Sequence, residues 1–109
     1  MAEILGTFEQ AVLLAVLRLR DEAYGRAILN EVQHRLGRDV AAGAVHATLA
    51  RLEGKGLLSS DVGDGTEVRA GRPRRYYRVE STGVRALNDA RAAVTTLWRG
   101  VKWPLKGHA

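Results

Sequence analysis

Apolar residues along the chain recur at helical spacing in four separate segments. The first helix begins at Thr7, which forms a capping-box pattern with Gln10, and is apolar on nearly every side. A helix of this kind lies at the centre of a domain or turns part of its surface towards a second subunit. The second helix is predicted over residues 22–36, with Asp21 as its N-cap and Gly37 at its C-terminal stop.

The third helix, predicted over residues 43–54, has two faces of different chemistry. Val45, Leu49 and Leu52 recur at helical spacing and predict a buried stripe. The opposite face carries small and polar side chains with a positive charge at its edge, which lets the backbone approach a partner closely. Its members are Gly43, His46, Ala47, Ala50 and Arg51.

From residue 57 the pattern changes to one that indicates strands. Residues 57–62 and 74–79 predict the two strands of a hairpin, and residues 63–73 between them are rich in glycine and arginine. The stretch VRAGRPRRYYRV, residues 68–79, contains five arginines and no acidic residue. The hairpin is therefore predicted to have a basic tip.

A final helix begins at Ser81 or Thr82 and is predicted to end at Pro104. One side of this helix carries an apolar stripe, the seam, of about two heptads. A stripe this short is not stable alone, so it needs a partner from its own chain or from a second copy. We favour dimerisation, because the first helix carries more apolar surface than one small domain hides. Leu13 and Leu17 of that helix are predicted to belong to the dimer interface. The seam residues step by three and four, as in a coiled coil: Leu87, Ala90, Val94, Leu97 and Val101.

The chain has 109 residues and predicts one compact unit, because it is too short for two cores. Its formal net charge of +5 favours a polyanionic partner, either nucleic acid or an anionic membrane surface. The absence of cysteine excludes disulfides and thiolate metal sites and fits a reducing compartment. The N-terminus lacks the cationic start of a signal peptide, and the apolar run at residues 11–17 is too short for a membrane span. We therefore expect a soluble cytoplasmic protein without a membrane partner.

Patterns typical of enzymes find little support in the sequence. His34, His46 and His108 lack metal-ligand spacing, and residues 63–65 lack the third glycine of a dinucleotide-binding loop. We therefore expect no enzyme, no metal and no cofactor.

Three helices followed by a two-stranded hairpin is the order of a winged helix-turn-helix domain, an α+β fold that is mainly α. In that fold the third helix enters the major groove of DNA, and the basic hairpin, the wing, lies over phosphates or reaches the minor groove. For His46, groove contact and ordinary surface exposure both stay open. Tyr76 and Tyr77 are predicted to pack within the protein and not to stack on bases. Adjacent strand residues point to opposite faces, so only one of the two can face the core. The arginines predicted to contact phosphate are Arg69, Arg72, Arg74 and Arg75.

Three blocks of sequence, in order, resemble the PadR family of transcriptional regulators. They are LGTFEQAVLLAVLRLRDEAYGRAILNEV, GAVHATLARLEGKGLLSS and GRPRRYYRVESTG. The resemblance covers residues 5 to about 87 and implies a dimeric bacterial regulator, usually a repressor. It also implies a winged head, here residues 1–80, and a C-terminal dimerisation helix and tail, here residues 81–109. The short tail is similar to the compact subgroup, which has one such helix.

Two positions depart from the pattern of the family. His46 stands where relatives commonly have Tyr, so their operator preference is not transferable. Ala41 stands where they commonly have Ser or Thr, which removes an N-cap at a cost of ~1 kcal/mol unless Asp39 substitutes. Some compact members bind flat aromatic compounds through a tryptophan on the last helix. Trp98 is the candidate counterpart, although interface packing of Trp98 and Trp103 is favoured.

Together these features predict a homodimeric, sequence-specific DNA-binding regulator. A repressor of a palindromic operator is favoured, and relief by a small aromatic effector is left open. The alternative is a winged-helix module that binds nucleic acid or protein without a regulatory ligand. Preference for one palindromic duplex over random DNA distinguishes the two.

Overall fold

The computed structural model describes residues 4–63, 68–69 and 72–107, and the side chains of residues 68, 69 and 72 lie outside that description. Within these residues the helices are α1 (Thr7–Leu19), α2 (Gly25–Leu36), α3 (Ala42–Gly54) and α4 (Ser81–Trp98), and a 3-10 turn, Arg20–Glu22, joins α1 to α2. The strands between α3 and α4 are β1 (Leu58–Val62), β2 (Val68–Arg69), β3 (Arg72–Pro73) and β4 (Arg75–Val79). This order confirms the predicted winged helix-turn-helix.

The hydrophobic core is built around α1. Leu13 and Val16 of α1 are buried, and the apolar stripes of α2 and α3 are buried with them. The α3 stripe contains Val45, Leu49 and Leu52, as predicted. α1 therefore lies at the centre of the fold. As a correction, Leu13 is 0% exposed and belongs to the core of its own chain, so it presents no area to a second copy.

The wing is an antiparallel hairpin in which β1 pairs with β4 from Leu58 opposite Val79 to Val62 opposite Arg75. The chain just before α2 pairs along the other edge of β4, because the Tyr77 N–H donates to the Ala23 carbonyl at 2.8 Å. An isolated bridge next to that bond joins residues 24 and 76. The wing is thus attached to the start of α2 as well as to α3.

Two helix starts differ from the prediction. α1 takes Gly6 as its N-cap, and Thr7 is its first helical residue. Glu9 replaces Gln10 as the partner of the cap, because its Oε1 accepts a hydrogen bond from the Gly6 N–H at 3.0 Å. α2 begins at Gly25 after the N-cap Tyr24, so Asp21 lies in the 3-10 turn and is not the cap. Pairing of residues 23 and 24 with β4 delays the start of α2.

α4 begins at Ser81, one of the two predicted positions, but it ends earlier than expected. Its last residue is Trp98, and Gly100 then takes a positive φ of 86°, a backbone conformation that suits glycine and turns the chain away. Val101 therefore lies beyond the helix, and Pro104 does not end it. None of the described helices is both long and apolar enough to cross a membrane.

Candidate nucleic-acid interface

The face of α3 that was predicted to meet a partner is exposed. It consists of small side chains around one histidine, with an arginine at its edge. A large partner could therefore approach the helix backbone closely. The members are Gly43, His46, Ala47, Ala50 and Arg51. We call these residues the exposed face of α3.

The start of α3 is held by α2, and no capping side chain contributes. Ala41 is the N-cap, and no side chain of the described residues caps it, so Asp39 does not substitute for the missing hydroxyl. Instead, the Val40 N–H donates to Gln33 Oε1 of α2 at 3.0 Å. Gln33 thereby positions the first turn of α3 against the preceding helix.

A cleft of about 390 Å³ lies between the start of α2, the side of α3 that carries His46, and the base of the wing. His46 of α3 and two arginines of the wing, Arg74 and Arg75, line this cleft together with Arg26 of α2. None of the described residues that line it is acidic. His46 at one edge of the exposed face of α3 and the base of the wing therefore border one cleft that carries positive charge. The described residues contain no cluster of three His, Asp or Glu side chains that could hold a metal ion.

Arg74 is half-buried and joins the wing to α2. Its guanidinium carbon lies 4.0 Å from the centre of the Tyr24 ring, a cation–π contact. Tyr24 in turn meets Tyr76 edge to face, with the ring centres 5.8 Å apart. Tyr77, on the opposite side of the strand, packs against the core. Both tyrosines pack, as predicted, and the contacts around Tyr24 join the base of the wing to the start of α2.

The two arginines of β4, Arg75 and Arg78, donate hydrogen bonds to residues of β1. Arg75 Nη1 donates to Ser60 Oγ at 3.0 Å, and Ser60 Oγ donates to Glu53 Oε2 of α3 at 2.8 Å. Arg78 donates to Asp61 Oδ2 at 2.6 Å, and this bond raises the pKa of its guanidinium. Arg75 is thus oriented beside the cleft, whereas the charge of Arg78 is offset within the wing.

Arg69 and Arg72 stand opposite each other in the β2–β3 pairing towards the tip of the wing. Their side chains lie outside the described residues, so their phosphate contact stays a prediction.

A carboxylate that sequence patterns did not single out lies beside α3. Oε2 of Glu9 is 3.4 Å from Arg51 Nε and 3.4 Å from Lys55 Nζ, which joins the first turn of α1 to the end of α3. Arg51, predicted for groove contact, is therefore already ion-paired within the subunit. No local spacing indicates this pair, because 42 positions separate the two residues.

The proposed dimerisation surface divides into covered and uncovered parts. Leu17, Val94 and Leu97 are 43%, 49% and 78% exposed, and Val101 is 49% exposed. Leu87 is half-buried against the core, and Ala90 is 1% exposed, so Ala90 joins Leu13 as a residue that its own chain encloses. An open apolar groove of about 560 Å³ near the end of α4 is lined by Val94, Thr95, Trp98, Arg99, Val101 and Trp103.

Comparison with known proteins gives a consistent result. Residues 13–89 match the family model described as the transcriptional regulator PadR-like family. The transcriptional regulator Rv3488 of Mycobacterium tuberculosis is 38% identical over 81 residues, which are 74% of this chain and 71% of that protein.

Solved structures of similar proteins cover most of the chain. A PadR family transcriptional regulator from Eggerthella lenta has 33% sequence identity and a TM-score of 0.64, over 83% of this chain and 76% of that chain. A PadR-like transcriptional regulator from Bacillus cereus has 19% identity and a TM-score of 0.72, over 94% and 95% of the two chains. At that identity the second likeness concerns the fold.

Proposed function

Because the chain belongs to the PadR-like family of transcriptional regulators, we propose that it is a cytoplasmic, homodimeric DNA-binding repressor that recognises a palindromic operator. The exposed face of α3 is the proposed reader of base edges. Arg69, Arg72, Arg74 and Arg75 of the wing are the proposed phosphate contacts.

The single observation that carries this proposal is the shared cleft. A helix face rich in alanine and glycine fits closely into a major groove, where base edges differ most. His46 and the arginines at the base of the wing line the same cleft, and none of its described lining residues is acidic. If α3 enters the major groove, these cationic side chains would therefore lie beside the phosphates that flank the groove. Arg74 contributes to this field while it stacks on Tyr24.

The homodimer is supported by the shape of the subunit. Its radius of gyration is 16.2 Å, whereas a compact chain of about 100 residues has ~13 Å. The C-terminal half of α4 projects from the head and exposes Val94 and Leu97. Two such helices packed together would cover these residues and place the two α3 helices for half-sites ~34 Å, one helical turn, or a small multiple apart.

Control by a small molecule is supported by the groove at Trp98. Its aromatic and aliphatic lining suits a planar aromatic ligand, and it lies on the proposed dimerisation helix. A titration of intrinsic tryptophan fluorescence with planar aromatic cations tests this part of the proposal. An unchanged spectrum across such a panel would exclude Trp98 as an effector contact.

The decisive experiment is selection of bound fragments from a genomic DNA pool, followed by competition against random duplex. We expect one palindromic sequence to be preferred by roughly 10³-fold or more. Equal affinity for all duplexes would favour the alternative, an interaction module without a regulatory role.

A substitution on the exposed face of α3 links that result to the proposed site. Ala47→Asp places a negative charge where the DNA backbone would approach, and we expect specific and non-specific binding to fall by at least about 10-fold. Ala92→Asp adds the same charge at an exposed position of α4, away from the seam, and should leave DNA binding unchanged. Equal losses in both variants would remove α3 from the proposed interface.

A further inference from the structure

Glu9 connects the first turn of α1 to the end of α3 and lies outside every motif that supports DNA binding. Its Oε1 accepts a hydrogen bond from the Gly6 N–H at 3.0 Å, and its Oε2 lies 3.4 Å from both Arg51 Nε and Lys55 Nζ. The side chain of Glu9 is 14% exposed, against 50% for Arg51 and 37% for Lys55. One largely covered carboxylate therefore holds two more exposed cations.

The two cations border the exposed face of α3. Residues four apart lie above one another on a helix, so Ala47, Arg51 and Lys55 form one row along an edge of that face. With α3 in the major groove, this edge would run beside the phosphates that border the groove. Arg51 and Lys55 are thus close enough to the proposed interface for their ion pairs to influence it.

The Glu9 carboxyl is charged in neutral solution. Burial opposes its ionisation, but the hydrogen bond from Gly6, the charge of Lys55 and the hydrogen bonds from Arg51 and Lys55 outweigh that effect and lower its pKa. Its negative charge offsets part of the charge of both cations. Either ion pair has to loosen before its cation neutralises a phosphate.

We propose that Glu9 limits the non-specific affinity for DNA and its salt dependence by holding Arg51 and Lys55 against the body of the subunit. This inference rests on the DNA-binding function proposed above. Each phosphate that a cation neutralises adds to the affinity for any duplex and to its salt dependence, so withholding two cations weakens non-specific binding. Glu9 is therefore a positioning residue that lowers non-specific affinity without touching DNA.

Glu9→Gln tests the proposal, because glutamine keeps an acceptor for the Gly6 N–H and removes the charge. We expect the non-specific affinity for a random duplex to rise. The slope of log affinity against log salt should steepen by about 0.9 for each cation that reaches a phosphate.

Glu31→Gln is the matched control. It removes the same charge and releases two arginines, Arg18 and Arg35, that lie on α1 and α2. Its salt slope should equal that of the wild-type protein. Steepening of the same size in this control would show a general effect of net charge and would overturn the proposal.

Arg51→Gln completes the cycle. In the wild-type background we expect little change in the salt slope, and in the Glu9→Gln background we expect the part of the steepening that is due to Arg51, about 0.9, to be reversed. Two results would overturn the inference. One is an unchanged salt slope in Glu9→Gln. The other is a salt slope that becomes shallower by about 0.9 in Arg51→Gln alone, and this measurement does not require Glu9→Gln to fold. Failure of the wild-type protein to bind any duplex would overturn the proposed function instead.

Discussion

At the scale of single residues, carboxylates join one helix to another. Glu31 of α2 accepts hydrogen bonds from Arg35 Nε at 2.9 Å and from Arg18 Nε of α1 at 2.6 Å. The bond from Arg35 and then that from Arg18 hold the pKa of the Glu31 carboxyl below its usual value of 4.5. Solvent screens this cluster, because Arg35 is 57% exposed, so its contribution to stability is modest.

Glu31→Gln should lower the free energy of unfolding by about 0.5 kcal/mol near neutral pH. Because the folded-state pKa is lowered, the contribution is complete above the usual value of 4.5 and is lost as pH falls through the folded-state pKa. Urea unfolding of both proteins along a pH series should show the two stabilities converging in acid. Glu22→Gln, at an exposed site in the 3-10 turn, is the control, and an equal, pH-independent loss in both variants would contradict the assignment.

At the scale of elements, the start of α4 lies close against the beginning of β1. Gly83 is buried in the first turn of α4, and a Cβ there would collide with the Leu57 carbonyl oxygen and lie 2.7 Å from Val79 Cγ1. The Glu80 N–H also donates to the Leu57 carbonyl at 2.9 Å. The wing and α4 therefore approach each other at a distance that only glycine permits.

Gly83→Ala should lower the free energy of unfolding by about 2 kcal/mol, because backbone on one side and a packed valine on the other leave no room for a methyl group. Gly54→Ala, at the last residue of α3, meets no atom within 4 Å of the added Cβ and should raise stability by a few tenths of a kcal/mol, roughly its gain in helix propensity. Denaturant midpoints of the two variants measure both effects. A neutral Gly83→Ala would mean that α4 can move away from the wing.

The elements and the faces of α3 could be predicted because they depend on local spacing. The positions of Val45 and Leu49 define the buried stripe wherever α3 packs, and residue 57 marks the change of period next to β1. The start of α2 could not be predicted, because Tyr24 is held by β4, which comes much later in the chain. The pairing of Glu9 with Arg51 has the same cause, since tertiary approach brings the two residues together.

At the scale of the whole molecule, the subunit is elongated, with extents of 57, 31 and 20 Å. A single hydrophobic core occupies the head and reaches the first half of α4, where Leu87 and Ala90 pack. Leu97, further along α4, is 78% exposed. The subunit thus has an apolar surface at one end and the cationic cleft in its head.

Leu97→Glu should weaken the proposed dimer by about 30-fold or more, because a charge would have to be buried where a leucine packed. The head should stay folded, since Leu97 contributes little to its core. Sedimentation equilibrium measures the dissociation constant, and circular dichroism checks the fold. Asn88→Glu, an exposed site one position from the seam residue Leu87, should remain dimeric. A Leu97→Glu protein that stays fully dimeric would move the interface elsewhere.

The projection of α4 has a mechanical consequence. The helix is rooted in the head at Gly83, while the groove at Trp98 lies near its far end. In a pair of such subunits, a small change in the angle between the two α4 helices would move the distant heads by a larger distance. A molecule wedged at the far end would thereby alter which half-site spacing the protein bridges, without ever approaching α3.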